Sequence, residues 1–537
     1  MAQVERRELP VLQGEPASPQ DYGRPGAGAQ PGTEDWSQTP PQPPSASPQG
    51  SGSALPLDVW RGLDVAAMDR LLAQMPLPSP SPALAKLIAR ALASGAPGDD
   101  REAAVKIAAL KRAARVEELV ELLGGLAQGG EPGAAARYAL ALLTADRKDE
   151  ACAIELGTVP ADSDAKRAAF LIPAYCAAAK GDREGASLAL TLARDSGVDA
   201  GLAAAVIDRP AKASSHGANP PRNVDVLDYL FLKLGQSGGS AEIAARATPE
   251  LLFLLARDKE APAELRLAAA ERAAALNIID GEVLAGAYRE MAPKLAKSAQ
   301  SPAALRAKLF ATLEGQSSDK VRAESIDALL ASGKDAKIET PIAEALAQAS
   351  EGLAEAPQAA SFAETGVRVA ALAGEDQAAW QWTEAGGEPV RSWQLLLGAT
   401  DPFGERARPA LDAGVEIVRK AQLPGALLQR LVTVLDALGE DVPIPLWELA
   451  GKTPQPEDGY LPATGVLTAL KESADAGEVG RTVLLVASVL GPNGPQGAHL
   501  IALGDSLRAL KRVGLNAEAR RLALEALYPH WPPRGKV

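Results

Sequence analysis

Apolar residues return every three or four positions along most of this chain, which is the period of one face of an α-helix. The first clear instance is LDVWRGLDVAAMDRLLAQM, whose apolar positions include Val59, Leu63, Met68, Leu71, Leu72 and Met75. The segment PLPSPSP then ends this pattern, because proline cannot continue the interior of a helix. The same period resumes after Pro82 and continues to the C-terminus, so the sequence predicts one helix after another.

Short joints that contain glycine separate the predicted helices. Four of them repeat the same order of a helix end, a glycine and, in most cases, an acidic residue, and their glycines are Gly181, Gly374, Gly439 and Gly514. Glycine adopts the left-handed backbone conformation that closes a helix without steric cost, and an acidic residue stabilises the N-terminus of the next helix. These joints are typical of helical hairpins.

The composition agrees with this pattern. Alanine is the commonest residue and only 4% of residues are aromatic, so strong helix formers outnumber strand formers. Small side chains bury little area each, and stability must therefore be collected over many helix contacts. The joints do not repeat at the tetratricopeptide (TPR) period of about 34 residues. We predict an all-α fold, an elongated α-solenoid of stacked antiparallel helix pairs with irregular TPR-like repeats.

Proline, glycine and long polar segments divide the chain. The predicted organisation is a disordered leader rich in Pro, Gly, Ser and Gln (1–56), an N-terminal helical lobe (57–208), a polar loop (209–223), a C-terminal helical lobe (224–528) and a short tail (529–537). A second interruption is predicted at 386–409, where turn residues and charges weaken the helical period.

The charge balance argues against nucleic acid as a partner. There are 55 Lys and Arg residues against 68 Asp and Glu, and the formal net charge is -13. Phosphate backbones are bound by clustered cations, whereas the basic residues here are scattered along amphipathic segments. Lys106, Lys111, Arg112 and Arg115 are examples, and we assign them to a solvated helix face.

No segment has the length and apolarity of a membrane span. The best candidate, 483–490, is followed at once by Gly491 and Pro492, and a span needs about 20 apolar residues. We therefore predict no transmembrane segment.

Motifs with chemical meaning are absent or incomplete. Gly451-Lys452-Thr453 resembles the end of a phosphate-binding loop, but Leu446 stands where that loop requires glycine. His216, His499 and His530 have no metal-ligating neighbour at helical spacing. Pairs of acidic residues are explained by surface charge on helices. We predict no catalytic, cofactor-binding or metal-binding residue, and no enzyme.

Three of the seven tryptophans lie close together in the sequence, at Trp380, Trp382 and Trp393. Tryptophan is enriched at binding hot spots, so these rings are candidates for a partner-binding surface. Large rings also fill gaps between alanine-rich helices. Core packing is the alternative, and a Trp382→Ala variant separates the two.

The two cysteines, Cys152 and Cys176, fall on predicted neighbouring helices. In an exported protein such a pair suggests a disulfide, whereas in a cytosolic protein two buried thiols are ordinary core residues. The N-terminus does not decide the compartment. It lacks the apolar core of a secretion signal, yet the Ala2-Gln3 that follows Met1 is typical of an exported chain after signal removal. The expected location is the periplasm or cell envelope if a signal peptide was removed, and otherwise the cytoplasm.

Three segments carry a family resemblance: LDVWRGLDVAAMDRLLAQMPLPSPSPALAKLIARALAS, AYCAAAKGDREGASLALTLARDSG and LRALKRVGLNAEARRLALEAL. They resemble a group of alanine-rich, usually exported α-solenoid proteins of alphaproteobacteria, some of which are labelled antifreeze-related. Ice binding would require regularly spaced threonines, and this sequence has none in that arrangement. The resemblance implies an α-solenoid, export to the cell envelope and a bridge between Cys152 and Cys176. It implies no catalytic residues.

Three functions fit these observations. The first is a non-catalytic scaffold for protein–protein interaction, located in the cell envelope, with an extended helical-repeat surface. The second is an accessory subunit of an envelope enzyme that acts around peptidoglycan, which a strand-containing terminal domain would favour and helices up to Tyr528 would disfavour. The third is a cytoplasmic TPR-like adaptor, and the compartment of the native protein distinguishes it.

Overall fold

Helices form nearly all of the regular structure of this protein. The computed structural model describes residues 55–95, 98–131, 133–156, 163–208, 221–315, 318–354, 358–401, 404–421, 423–440 and 442–532. The predicted leader lies outside the described residues except for Leu55 and Pro56. Most of the predicted polar loop (209–220) and the end of the tail (533–537) lie outside them as well.

The described ranges contain 28 α-helices and no strand, only two isolated bridges. The helices are α1 (Val65–Gln74), α2 (Pro82–Ala93), α3 (Asp100–Arg112), α4 (Val116–Gln128), α5 (Ala134–Thr144), α6 (Lys148–Ala153), α7 (Ser163–Ala179), α8 (Arg183–Asp195), α9 (Gly201–Ile207), α10 (Val226–Leu234), α11 (Glu242–Arg246), α12 (Pro249–Arg257), α13 (Ala263–Ala275) and α14 (Gly281–Met291). They continue with α15 (Pro302–Glu314), α16 (Asp319–Asp335), α17 (Glu339–Ala354), α18 (Ala359–Ala373), α19 (Asp376–Gly386), α20 (Arg391–Thr400), α21 (Ala407–Ala421), α22 (Gly425–Leu438), α23 (Ile444–Gly451), α24 (Thr464–Asp475), α25 (Val479–Leu490), α26 (Gly494–Gly497), α27 (Leu500–Arg512) and α28 (Asn516–Leu527). Short 3-10 helices cover Ala292–Lys294, Glu388–Val390 and Tyr528–His530.

Successive helices pack side by side, as the hairpin pattern predicts. The most extensive contacts join α17 to α18, α18 to α19 and α7 to α8. The prediction of an all-α fold of stacked helix pairs is confirmed. None of the helices in the described ranges has the length and hydropathy that crossing a bilayer requires.

The four glycine joints have the predicted backbone geometry. Gly181, Gly374, Gly439 and Gly514 have φ values of +81°, +87°, +79° and +84°, in the left-handed region that closes a helix. Other joints place residues with a side chain in the same region, at Ala114, Asp146, Gln236, Asn277 and Lys337. The glycine signal therefore finds only part of the joints.

Helices on the two sides of the predicted polar loop pack together. Helix α10 contacts α7 and α9, and α12 contacts α5. The two predicted helical lobes are therefore in direct contact. In the predicted tail, the Trp531 side chain is buried and its indole nitrogen donates a hydrogen bond to the Ser392 carbonyl, at 3.1 Å.

The beginning and the end of the helical chain meet, which an elongated stack does not predict. Helix α1 packs against α25, and α2 packs against both α25 and α28. The backbone N–H of Gly480 donates to the Val59 carbonyl at 2.8 Å, and Arg90 forms an ion pair with Glu518 at 2.6 Å. The Gly480–Val59 and Arg90–Glu518 contacts join residues more than 400 positions apart.

A single carboxylate closes this junction. Glu525, on α28, accepts a hydrogen bond from the Ser81 hydroxyl and another from the Ala83 backbone N–H, at 2.7 Å. Ser81 is the N-cap of α2, and its hydroxyl also accepts from the Leu84 N–H. The last helix therefore satisfies one free N–H group at the start of the second and holds the hydroxyl that caps another. Burial raises the pKa of the Glu525 carboxyl.

We predict that Glu525→Ala lowers the free energy of unfolding by about 2–3 kcal/mol, because it leaves buried donors without an acceptor. Glu525→Gln retains an acceptor oxygen and is the matched control, with a loss of about 1 kcal/mol at pH 7. Urea unfolding measures both. Equal losses in the two variants would contradict the capping role.

The difference in stability between the wild type and Glu525→Gln should also depend on pH. Because the folded pKa of Glu525 lies above its unfolded value of about 4.3, the folded state takes up a proton first as the pH falls. The wild type should therefore gain stability relative to Glu525→Gln from pH 7 down to about pH 4.5. A constant difference between the two proteins would show that this carboxyl has an ordinary pKa.

Candidate binding site

The sequence predicts two groups of site residues, the cysteines and the tryptophans, and the two groups lie in different places in the fold. Cys152 on α6 and Cys176 on α7 form a disulfide. The bond ties the short helix α6 to the much longer α7. This is the pairing that the family resemblance implies.

The tryptophans are mainly core residues. Trp382 and Trp393 are each 1% exposed. The Trp382 ring lies directly over Gly366 on α18, and the Trp393 ring packs 6.0 Å from that of Tyr528. Trp380 is partly buried against the same core. Neither the Trp382 ring nor the Trp393 ring reaches the surface, which favours the core-packing alternative for both.

The glycine-lysine-threonine segment and His499 have structural roles in the fold. Gly451, Lys452 and Thr453 end α23, and the Thr453 hydroxyl donates to the Ala450 carbonyl at 2.8 Å. His499 is the N-cap of α27, whereas His216 lies outside the described residues. Within the described part of the chain, no three His, Cys, Asp or Glu side chains are grouped to bind a metal ion.

The most promising surface feature is a pair of adjoining hollows beside α3, α5 and α12. We call the first the outer groove; it has a volume of about 590 Å³. Its lining residues are Leu77, Ala104, Ile107, Ala108, Lys111, Arg112, Arg137, Thr248, Pro249 and Glu250. We call the second the inner cavity; its volume is about 320 Å³. The two share Ile107, Lys111, Arg137, Thr248 and Glu250.

The inner cavity has an aliphatic wall contributed by four helices. These residues are Val116, Leu119 and Leu123 of α4, Leu140 and Ala141 of α5, Ala168 of α7, and Val226 and Leu227 of α10. All of these side chains except Leu140 are buried from solvent, although they line the cavity. The wall therefore belongs to the hydrophobic core.

Alanine at particular helical positions explains why the hollows exist. On α3, Ala104, Ile107, Ala108 and Lys111 are spaced by three or four residues and so share one face. Two of these four side chains are single methyl groups, and Ala141 on α5 is a third. Larger residues would close the space between the helices, so these alanines leave a groove.

Cations dominate the charged lining. The outer groove is lined by Lys111, Arg112 and Arg137 and by one carboxylate, Glu250, whereas Arg167 and Asp225 line only the inner cavity. Three cations against one acid give the outer groove a local excess of positive charge in a chain whose net charge is -13. The groove is therefore electrostatically unlike the protein as a whole, and favours an anionic or acidic occupant.

Two of the arginines are held in place by the fold. Arg112 donates to the carbonyls of Leu72 and Met75, at 3.0 and 2.9 Å, and fixes the end of α1 beside the outer groove. Arg167 pairs with Asp225 and with Asp228, the latter at 2.7 Å, and links α7 to the start of α10. Burial and the neighbouring Asp225 raise the pKa of Asp228.

The prediction of a solvated basic face on α3 is only partly right. The Lys106 side chain is fully buried and forms an ion pair with Glu102 at 2.9 Å. It also donates to the Gly95 carbonyl and lies over the Trp60 ring. Its charge is held by intramolecular partners, and the helical period alone could not distinguish it from the exposed lysines.

A third cleft, of about 350 Å³, lies where α2, α4, α12 and α17 meet. Lys86 pairs with Glu344 at 2.7 Å, and Arg257 pairs with Glu117 at 2.5 Å. Both ion pairs join residues far apart in the sequence. This cleft is therefore a junction between parts of the helical stack, with charges that neutralise one another.

No family model, no curated protein and no solved structure matches the chain.

Proposed function

We propose that this protein is a non-catalytic scaffold that binds a segment of another protein in the outer groove. The proposal rests on the outer groove itself, which lies beside α3, α5 and α12. The groove is lined by alanine side chains and by more cations than acids. Grooves between helices commonly accept apolar side chains of a partner segment. The cations suit a partner with acidic residues beside its apolar ones.

The groove residues support binding better than catalysis. Ala104 and Ala108 present exposed methyl groups, and Arg112 is committed to backbone carbonyls. Among the described residues that line the outer groove, no hydroxyl or thiol is paired with a general base. The outer groove therefore offers contact area and positive charge to a binding partner.

The test begins with a photo-crosslinking amino acid at Ala108, in the full chain within its native cells. We expect a discrete adduct with a partner protein. The same amino acid at Ala331, an exposed position on α16, should give no such adduct. The adduct identifies the partner for measurements with purified proteins.

In those measurements Ala108→Trp should weaken partner binding at least about tenfold, because the indole fills the groove. Ala331→Trp is the matched control and should leave the affinity unchanged. If both positions crosslink equally, or if Ala108→Trp binds as tightly as the wild type, the groove is not the partner site.

We propose further that the protein works in the periplasm or cell envelope. The Cys152–Cys176 disulfide supports this, since disulfides persist in oxidising compartments. The alternative of a peptidoglycan-enzyme accessory is less favoured, because helices continue to Leu527 and a 3-10 turn follows at Tyr528–His530. A cytoplasmic TPR-like adaptor would require both thiols to be free in the native protein.

The disulfide gives a quantitative prediction. It closes a loop with a sequence separation of 24 residues, so replacing both cysteines by serine should lower the free energy of unfolding by roughly 3 kcal/mol. Denaturant unfolding of the wild type, with and without reductant, should show the same loss. Mass spectrometry of native material without reductant provides the check on location: two free thiols would reject the exported state.

A further inference from the structure

The inner cavity is large for an apolar space that the protein does not fill itself. Its volume of about 320 Å³ is roughly twice the ~150 Å³ at which an apolar protein cavity already binds a benzene-sized molecule. It also reaches the range typical of small-molecule sites, about 300–1,000 Å³. Space of this size between well-packed helices is unusual.

Water is a poor occupant of the cavity's interior. The wall is formed by aliphatic side chains such as Leu119, Leu123 and Leu140. The Thr144 hydroxyl at its edge already donates to the Leu140 carbonyl, at 2.8 Å. A buried water needs two to four polar partners, and in this lining they come from groups such as Thr144, Arg167 and Asp225, whereas the leucine and valine side chains offer none. An apolar group is the better occupant.

The residues that line the inner cavity favour an aliphatic chain over an aromatic ring as its occupant. No aromatic side chain is found among the described residues that line the inner cavity, so a nucleobase or other aromatic ligand would find no stacking partner. Valine, leucine and alanine surfaces from four helices suit methylene groups, which need contact area and no directed interaction.

The opening of the cavity is polar and cationic. Lys111 and Arg137 lie at the boundary between the inner cavity and the outer groove, together with Glu250. Both cations take part in interactions within the protein, so a ligand's anionic end would join or exchange with those partners. Arg167 is held by Asp225 and Asp228 and serves as part of the wall.

We propose that the inner cavity binds a single-chain anionic amphiphile, such as a medium-chain carboxylate. The aliphatic tail occupies the space among α4, α5, α7 and α10, and the carboxylate lies at the opening beside Lys111 and Arg137. This site goes beyond the proposed scaffold function, because it takes a small molecule in the core and not a protein segment in the outer groove.

The test uses the full-length protein and decanoate as the probe, with decyltrimethylammonium as the matched cation. Calorimetry should show one decanoate per chain with saturable binding, and at least tenfold weaker binding of the cation. Lys111→Gln with Arg137→Gln should remove most of this preference. Non-saturating uptake of many molecules per chain, or equal binding of both probes by the wild type, would overturn the proposal.

A filling variant locates the ligand. Ala141→Leu places three more carbons in the cavity and should weaken decanoate binding at least tenfold, whereas Ala331→Leu on the exposed face of α16 should not. If Ala141→Leu does not fold, hydrogen exchange of the wild type decides. Decanoate should then slow exchange in α4, α5 and α7. Unchanged exchange in these helices, or full decanoate affinity in folded Ala141→Leu, would reject the site.

Discussion

Replacing Trp382 by alanine is expected to lower the free energy of unfolding by about 3–5 kcal/mol, the usual cost of deleting a large buried aromatic side chain. The indole is 1% exposed and occupies the space over Gly366, between α18 and α19. Removing it leaves a cavity in the most extensively packed run of helices, where α17, α18 and α19 meet. Urea unfolding followed by circular dichroism measures the loss.

Two controls make this result specific. Trp380→Ala removes the same side chain from a partly buried position on the same helix and should cost clearly less. Gly366→Ala adds volume at the same contact instead of removing it, because a Cβ atom there would lie about 2.1 Å from the Trp382 ring. This variant should be destabilised by overpacking. A Trp382→Ala protein of normal stability that fails to bind its partner would restore the partner-surface interpretation.

The helical hairpins could be predicted from sequence because the physics that forms them is local. The apolar period and glycine at the joints depend on residues a few positions apart, and Gly181 and Gly374 have the backbone conformation expected of them. The helical period is interrupted within 386–409 as the turn residues suggest, because α19 ends at Gly386 and α20 ends at Thr400, but the sequence did not indicate the helix between these two points. Helix α20 forms there, and Trp393 anchors it in the core.

The junction of α2 with α28 could not be predicted, because it depends on two residues that are ordinary in their local context. Ser81 is a normal N-cap and Glu525 is a normal surface-type acid in an amphipathic helix. Only the tertiary fold brings them together across 444 positions. Such a contact leaves no periodic signal in either segment.

The outer groove and the inner cavity could not be predicted from the sequence either. The alanines that line it, such as Ala104, Ala108 and Ala141, belong to a chain in which alanine is the commonest residue. Nothing in their spacing separates an alanine that lets helices approach closely from one that leaves space between them. The cations at Lys111 and Arg137 fit a surface helix face equally well.

The Glu271 carboxylate joins three helices, α13, α14 and α15, through hydrogen bonds. Glu271 on α13 accepts two hydrogen bonds from Arg306 on α15, at 2.7 and 2.5 Å, and one from the Tyr288 hydroxyl on α14, at 2.8 Å. The side chains of Arg306 and Glu271 are 6% and 12% exposed. Burial and the Glu271 charge raise the pKa of Tyr288, so the hydroxyl remains a donor.

Glu271→Ala should therefore lower the free energy of unfolding by about 3–5 kcal/mol, because it leaves the Arg306 charge buried without its partner. The expected loss is much larger than the value of the ion pair itself, since the dominant cost is desolvation of an unpaired guanidinium. Denaturant unfolding at neutral pH measures it.

The chain contains a matched control of nearly the same chemistry in a different environment. Arg289 and Glu314 also form a hydrogen-bonded ion pair, with three hydrogen bonds, but their side chains are 57% and 32% exposed, so Glu314→Ala should cost at most about 1 kcal/mol. A double variant, Glu271→Leu with Arg306→Met, removes both buried charges and should recover most of the stability that Glu271→Ala loses. If the double variant is as unstable as Glu271→Ala, the loss comes from the shape of the site and not from the stranded charge.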